Sequence, residues 1–153
     1  MITGYEVMKY VHVLMAIVAV GFNASYAIWL RRAARAPEHQ AYVLRGVKIL
    51  DDRFANPAYG VLLLTGLIMV LTTPGLKLTT FWILLALILF AATVVLAAAV
   101  YTPTLRKQIE ALEADGPQSP GYQALARRST VSGILLGVIV IVIVFLMVTK
   151  PTL

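Results

Sequence analysis

The sequence predicts an all-α integral membrane protein built as a four-helix bundle. Three observations predict it. Hydrophobic residues make up 60% of the chain and charged residues only 13%, about half the charged share of a soluble domain. Mean hydropathy is +0.86. Four apolar runs, about 5–30, 54–73, 80–103 and 130–149, are each long enough to cross a bilayer, which takes about 20 residues. Inside lipid every backbone polar group must be satisfied within the protein, so these runs are read as helices. The connections are short, which predicts a single membrane domain over residues 1–153.

The first run is striped. At about 100° per residue, Met8, His12, Met15, Ala19, Phe22, Asn23 and Tyr26 share one face. Val13, Ile17, Val20, Ala24 and Ile28 lie opposite and are all hydrocarbon. Such a helix turns one side to lipid and the other to companions. It is too long for a cleaved signal peptide, and Arg31-Arg32 puts positive charge on the wrong flank. Pro37 then breaks the helix or opens the next piece. Residues 41–52 are expected to form a short amphipathic helix, with Tyr42, Val43, Val47, Ile49 and Leu50 available to the membrane interface. Asp51, Asp52 and Arg53 precede the second run. Their plain reading is a solvated helix start, with acids at the positive end of the helix dipole. The alternative is an entry point for protons or ions.

In the second run Pro57 fits the first helical turn, and Tyr59 suits the interfacial belt. Gly60 and Gly66 are expected to let another helix approach closely. Pro74-Gly75 marks a turn, making the second and third runs an antiparallel hairpin. Phe81-Trp82 is an interfacial anchor pair, and Thr102-Pro103 closes the third run. Leu105, Ile109 and Leu112 keep helical spacing, so this helix can run on until Gly116-Pro117 stops it. With residues 122–128 it forms a second amphipathic loop structure. In the fourth run Ser129, Gly133 and Gly137 recur every four residues, followed by Val140, Val144 and Met147 on the same face. This ridge is read as packing inside the bundle, with a homodimer seam as the rival. The runs do not read as two copies of one hairpin.

Charge sets the expected orientation. Of 13 Lys and Arg, six lie in the first loop (Arg31, Arg32, Arg35, Arg45, Lys48, Arg53) and four in the third (Arg106, Lys107, Arg127, Arg128). Positive loops stay cytoplasmic, so both termini are expected on the outer side of a bacterial cytoplasmic (inner) membrane. Anionic headgroups account for the net charge of +6 without a nucleic-acid partner. Beyond the lipid bilayer, a homo-oligomer or a larger membrane complex is the partner class to consider. The chain has no cysteine. Disulfides, cysteine-ligated clusters, thiolate zinc sites and cysteine nucleophiles are therefore excluded. It has no Gly-rich phosphate loop, H-E-x-x-H or G-x-S-x-G motif. No Asp, Glu, Lys or Arg lies deep in a run, which speaks against an ion-coupled transporter.

The ionisable group well inside a run is His12. With the termini outside, it falls in the outer third of its helix. Met8 and Met15 flank it, and Met69, Met147 and Trp82 are expected at the same depth. Imidazole and thioethers form a soft, neutral donor set. It suits copper(I) held by His12, Met8 and Met15. It also suits haem b held by His12 with Met69, Met147 or the same histidine of a second copy. Asn23 and Tyr26, deeper on the His12 face, are read as a hydrogen-bond chain toward the cofactor or as interhelical glue. His39 lies roughly 40 Å away along a continuous helix and cannot share the site. The plain alternative is that the methionines fill gaps and that His12 is hydrogen-bonded to a carbonyl of the second helix.

The opening Lys9-Tyr10-Val11-His12-Val13-Leu14 resembles the K-x-x-H-x-L start of an uncharacterised bacterial family of integral membrane proteins, domain of unknown function 2269. Thr65-Gly66-Leu67, Thr102-Pro103 and the ending Met147-Val148-Thr149-Lys150-Pro151 also resemble that family. The resemblance spans the chain and implies the fold, since the family has no established activity. More distantly, the first-helix histidine is similar to that of the copper-resistance D and membrane protoporphyrinogen oxidase families. In the latter this histidine is associated with haem, and only His12 carries over. Those oxidases also use a lysine in the third span, whereas residues 81–100 contain none and Lys77 lies before them. The departure speaks against oxidase activity and leaves haem binding open. The leading expectation is a small protein binding haem b through His12 for electron transfer or redox chemistry near the outer face. The alternatives are a non-catalytic accessory or assembly subunit of a larger membrane complex, and a copper(I)-handling protein.

Overall fold

The computed structural model describes residues 2–151. Each apolar run falls in one long helix, and the described residues contain no strand. Helix α1 spans Gly4–Ala33. Thr3 caps it: its side chain accepts from the Glu6 N–H, and the Glu6 carboxylate accepts from the Thr3 N–H at 2.8 Å, satisfying two otherwise orphaned donors. Pro37 opens α2, Pro37–Leu50, where its missing N–H costs nothing.

Helix α2 is not a separate surface piece. It continues through a π-helical turn, Asp51–Ala55, into α3, Asn56–Thr72, forming one rod of 36 residues. The same construction appears in reverse after the turn at Gly75. Helix α4, Phe81–Leu96, passes through a π turn, Ala97–Tyr101, into α5, Thr102–Asp115. Gly116, with φ 79°, ends that rod, because a left-handed turn is open to glycine without steric cost. Helix α6, Pro120–Thr149, completes the bundle.

The two π turns share a cause. Each is followed by an X-Pro step, Asn56-Pro57 or Thr102-Pro103. Inside a helix a proline ring crowds the carbonyl four residues back and cannot bond to it. Widening the turn by one residue relieves that clash. The Asn56 N–H donates to the Asp51 carbonyl and the Thr102 N–H to the Ala97 carbonyl, each five residues back.

Packing divides the bundle into two pairs, α3 on α1 and α4 on α6. Although one turn joins them, α3 and α4 do not meet backbone to backbone. Their side chains touch where the Tyr59 and Phe90 rings stack edge to face at 6.1 Å. The best-buried cluster lies where α2 and α5 leave the apolar runs, here termed the basic end. Leu44 and Leu105, each 1% exposed, pack there with Tyr101, Leu112, Tyr122 and Leu136. Gln40 donates to the Tyr122 hydroxyl at 2.6 Å, and Arg45 Nε to Glu113 at 2.9 Å. These contacts tie α2 to α6 and α5. Val47 is buried rather than offered to the interface, while Tyr42 and Ile49 stay exposed. At the opposite, terminal end the Lys150 ammonium sits 5.7 Å from the Trp82 ring centre.

The glycines behave differently from the close-approach reading. A Cβ on Gly66 would lie 3.1 Å from His12 Cε1, so this glycine is needed for α1 to reach α3. A Cβ on Gly60 or Gly137 would meet nothing within 4 Å. The buried stripe of α6 runs through Ser129, Ser132, Leu136, Val140 and Leu146, and Val144 is exposed. Gly66→Leu should therefore cost about 1–3 kcal/mol through overpacking. Gly137→Ala should be neutral or stabilising by up to about 1 kcal/mol. Unfolding in mixed detergent, followed by circular dichroism, compares the two.

Candidate functional site

His12, half-buried, meets the second span at Thr65 and Gly66. Its Nδ1 lies 2.9 Å from Thr65 Oγ1. The Thr65 hydroxyl has a single proton, and it points to the carbonyl of Val61 at 2.7 Å, with that of Leu62 at 3.2 Å. With its proton there, the oxygen can accept from an Nδ1–H tautomer of His12, whose Nε2 has no hydrogen bond to a described residue. The anchor thus includes a hydroxyl of the second span beside the Leu62 carbonyl, the kind of helix-two carbonyl expected from sequence. Thr65 and Gly66 act together: one supplies the acceptor, the next supplies the room.

The other sequence-predicted residues are spread through the bundle. Met8 and Met15 on α1 and Met69, one turn beyond Thr65 on α3, are half-buried. Met147 is half-buried on α6, in the other helix pair. Asn23 lies about 16 Å from His12 along α1. It donates to the carbonyl of Ala19 at 2.8 Å and to the Tyr59 hydroxyl at 3.2 Å, a second clip between α1 and α3. Tyr26 is buried, and its hydroxyl has no partner among the described residues. No continuous hydrogen-bond chain therefore runs from Asn23 to Tyr26. Among the described residues no three His, Asp or Glu side chains gather as a metal site. His39 is exposed near Glu38 at 3.9 Å.

The space left between the helix pairs forms a chamber of about 610 Å³ in the half of the bundle nearer the basic end. Gly60, Leu63, Phe90, Gly137 and Val140 supply apolar walls. Asp51, Asn56, Tyr59 and Tyr101 form its polar end. Asp51 is 6% exposed. It has one long hydrogen bond, from Asn56 Nδ2 at 3.4 Å, and no ion pair among the described residues. The nearby Lys48 bonds instead to Asp52. The solvated-helix-start reading therefore fits Asp52 and Arg53, which are exposed, and is corrected for Asp51. Asp51 continues the buried stripe Gln40, Leu44 and Val47 of α2 at ordinary helical spacing, while Asp52 falls on the next, exposed face. The cue in the sequence was that spacing. A second cavity of about 450 Å³ lies between α1 and α6 and shares Asn23, Ala24, Tyr101, Gly133, Leu136 and Gly137 with the first.

A family model described as "Predicted integral membrane protein (DUF2269)" matches residues 6–151. The chain belongs to this family. The match takes in His12, the Thr65-Gly66 step, Asp51 and both proline-marked π turns. No curated protein and no solved structure matches the chain. The family description places the protein in a membrane and leaves the roles of these residues to their geometry.

Thr65→Val removes the acceptor for His12 while keeping its shape. It should cost about 0.6–1.7 kcal/mol, the range for hydrogen bonds between membrane helices. Nitrogen-15 spectra of the His12 ring should show a single Nδ1–H tautomer in the parent protein and a tautomer mixture in Thr65→Val.

Proposed function

We propose that this integral membrane protein binds a small amphipathic molecule in the chamber beside Asp51, with the basic end facing the cytoplasm of a bacterial inner membrane. The observation that carries the reading is the Asp51 carboxyl, buried without an ion pair and opening on an apolar-walled chamber. Removing a carboxylate from water without a partner is costly. Such groups cluster where something binds. A chamber of about 610 Å³ has the size of a small-molecule site. Burial and the neighbouring Asp52 push the Asp51 carboxyl above its usual range; ionised it accepts and protonated it also donates, and an amine or a hydroxyl on the ligand matches the first and a hydroxyl both. The apolar walls hold the rest. The orientation rests on the basic loops.

Solvent extraction and mass spectrometry of the protein purified in mild detergent tests this reading. The parent protein should retain a molecule that Asp51→Asn holds at least about tenfold less, equivalent to roughly 1.4 kcal/mol. Gly60→Leu, filling the chamber, should lose it altogether while keeping the parent circular dichroism. Equal retention by parent and Gly60→Leu contradicts it.

A second reading is supported by the free Nε2 of His12: an axial ligand to haem b, or a donor to copper(I). A metal-bound histidine characteristically donates its other nitrogen to an oxygen, and Thr65 Oγ1 stands 2.9 Å from Nδ1 to receive it. His12 lines neither cavity, so neither offers room for a porphyrin on this ring. Bound, haem would supply electron transfer; the chain's part is to hold the ring and its tautomer. A Soret band in protein expressed with added haem, lost in His12→Ala, supports this reading, and its absence in the parent removes it.

A further inference from the structure

The second cavity carries a feature the first lacks. Three residues in its wall, Tyr26, Gln108 and Ser129, are each at least nine-tenths buried. Each carries a buried polar atom with no hydrogen-bond partner: Tyr26 Oη, Gln108 Oε1 and Ser129 Oγ. Folded proteins leave few such atoms, and each one is costly. Here the residues that carry these atoms, from three separate helices, α1, α5 and α6, line one cavity.

Their chemistry narrows the ligand. Tyrosine and serine hydroxyls both donate and accept, while an amide oxygen only accepts. If the Gln108 amide is turned over, its orphan becomes a donor. A hydroxyl group on the ligand satisfies all three in either case. Arg31, exposed and without an ion pair among the described residues, lies in the same wall. A guanidinium in that position matches a phosphate. Arg31 and Ser129 sit where the apolar runs of α1 and α6 meet the basic end, at headgroup depth. Gly133 and Gly137 extend the cavity toward the bilayer middle. Polar at the headgroup level and open to hydrocarbon, the cavity has the polarity of a lipid.

We infer that this cavity holds the headgroup of an anionic, hydroxyl-bearing phospholipid such as phosphatidylglycerol, with its phosphate on Arg31 and its hydroxyls on Tyr26, Gln108 and Ser129. The site adjoins the Asp51 chamber and shares Asn23 and Tyr101 with it, but Tyr26, Gln108, Ser129 and Arg31 line only this cavity.

The test uses the full chain in mild detergent, mixed with equal amounts of phosphatidylglycerol and phosphatidylcholine and examined by native mass spectrometry. Phosphatidylcholine has the phosphate but no donor in its headgroup. Phosphatidylglycerol should remain bound at least about tenfold more than phosphatidylcholine. Arg31→Gln and the pair Tyr26→Phe with Ser129→Ala should each reduce its retention about tenfold, the effect of roughly 1.4 kcal/mol. The pair should also melt at a higher temperature than the parent in lipid-free detergent, because it deletes orphaned hydroxyls. Should the pair not fold, Gln108→Leu replaces it. Equal retention of the two lipids overturns the inference, as does phosphatidylglycerol retention unchanged by every one of these substitutions. A loss that follows Asp51→Asn and not Arg31→Gln also overturns it and moves the lipid to the first chamber. A lipid preference that survives when no molecule is found beside Asp51 leaves this inference standing and removes the other.

Discussion

Pro57 and Pro103 have no backbone N–H to give, and the helical turn before each widens to accommodate them. Much of the architecture depends on that constraint. In lipid a broken helix would expose backbone groups that nothing can satisfy. A π turn avoids the break by bonding five residues back instead of four. The chain thereby carries each central span out of the apolar run as one rod, α2 with α3 and α4 with α5. The amphipathic helices α2 and α5 are held by these rods at the basic end, where they build the tightest core of the molecule. The same turns carry Asp51 and Tyr101, both of which border the first chamber.

Within the apolar runs the balance of forces is different. Lipid is as apolar as leucine, so there is little hydrophobic drive for one span to join another. Close approach and polar contacts decide which helices pair. Helix α1 meets α3 at two clips, His12 on Thr65 and Asn23 on Tyr59, and Gly66 lets the ring in. Helices α4 and α6 form the other pair. Between the pairs, glycines at 60 and 137 meet no neighbour where a side chain would begin. Small residues thus serve two opposite purposes in one bundle: closing a seam at Gly66 and keeping a space at Gly60 and Gly137.

The four spans were legible because hydrocarbon composition and length are sufficient signals for a membrane helix. The lipid face of α1 was legible too, since Val13, Ile17 and Ile28 are exposed and Ala19 and Tyr26 buried. The partner of His12 was not, because a threonine in an apolar run has the same appearance whether it bonds its own helix or another. Asp51 was hidden for a sharper reason. Beside Asp52 and Arg53 it has the composition of a solvated helix start. Its spacing from Leu44 and Val47 distinguishes it, putting it on the buried face of α2, a face that the sequence reading assigned to the membrane interface. The spacing Ser129, Gly133, Gly137 implied close packing, and the absence of an opposing helix at Gly137 depends on how the pairs diverge.

That α2 and α3 are one rod with Asp51 turned inward is the claim on which the chamber stands. The chain has no native cysteine, so a single introduced thiol reports its own position without background. Thiol labelling of Asp51→Cys and Asp52→Cys with a bulky, charged maleimide, in otherwise parent protein in mild detergent, measures that directly. The buried stripe of α2 predicts fast labelling at position 52 and labelling at least about tenfold slower at position 51, given 6% exposure of the native side chain. Equally fast labelling at both positions would contradict it and return Asp51 to the solvated surface.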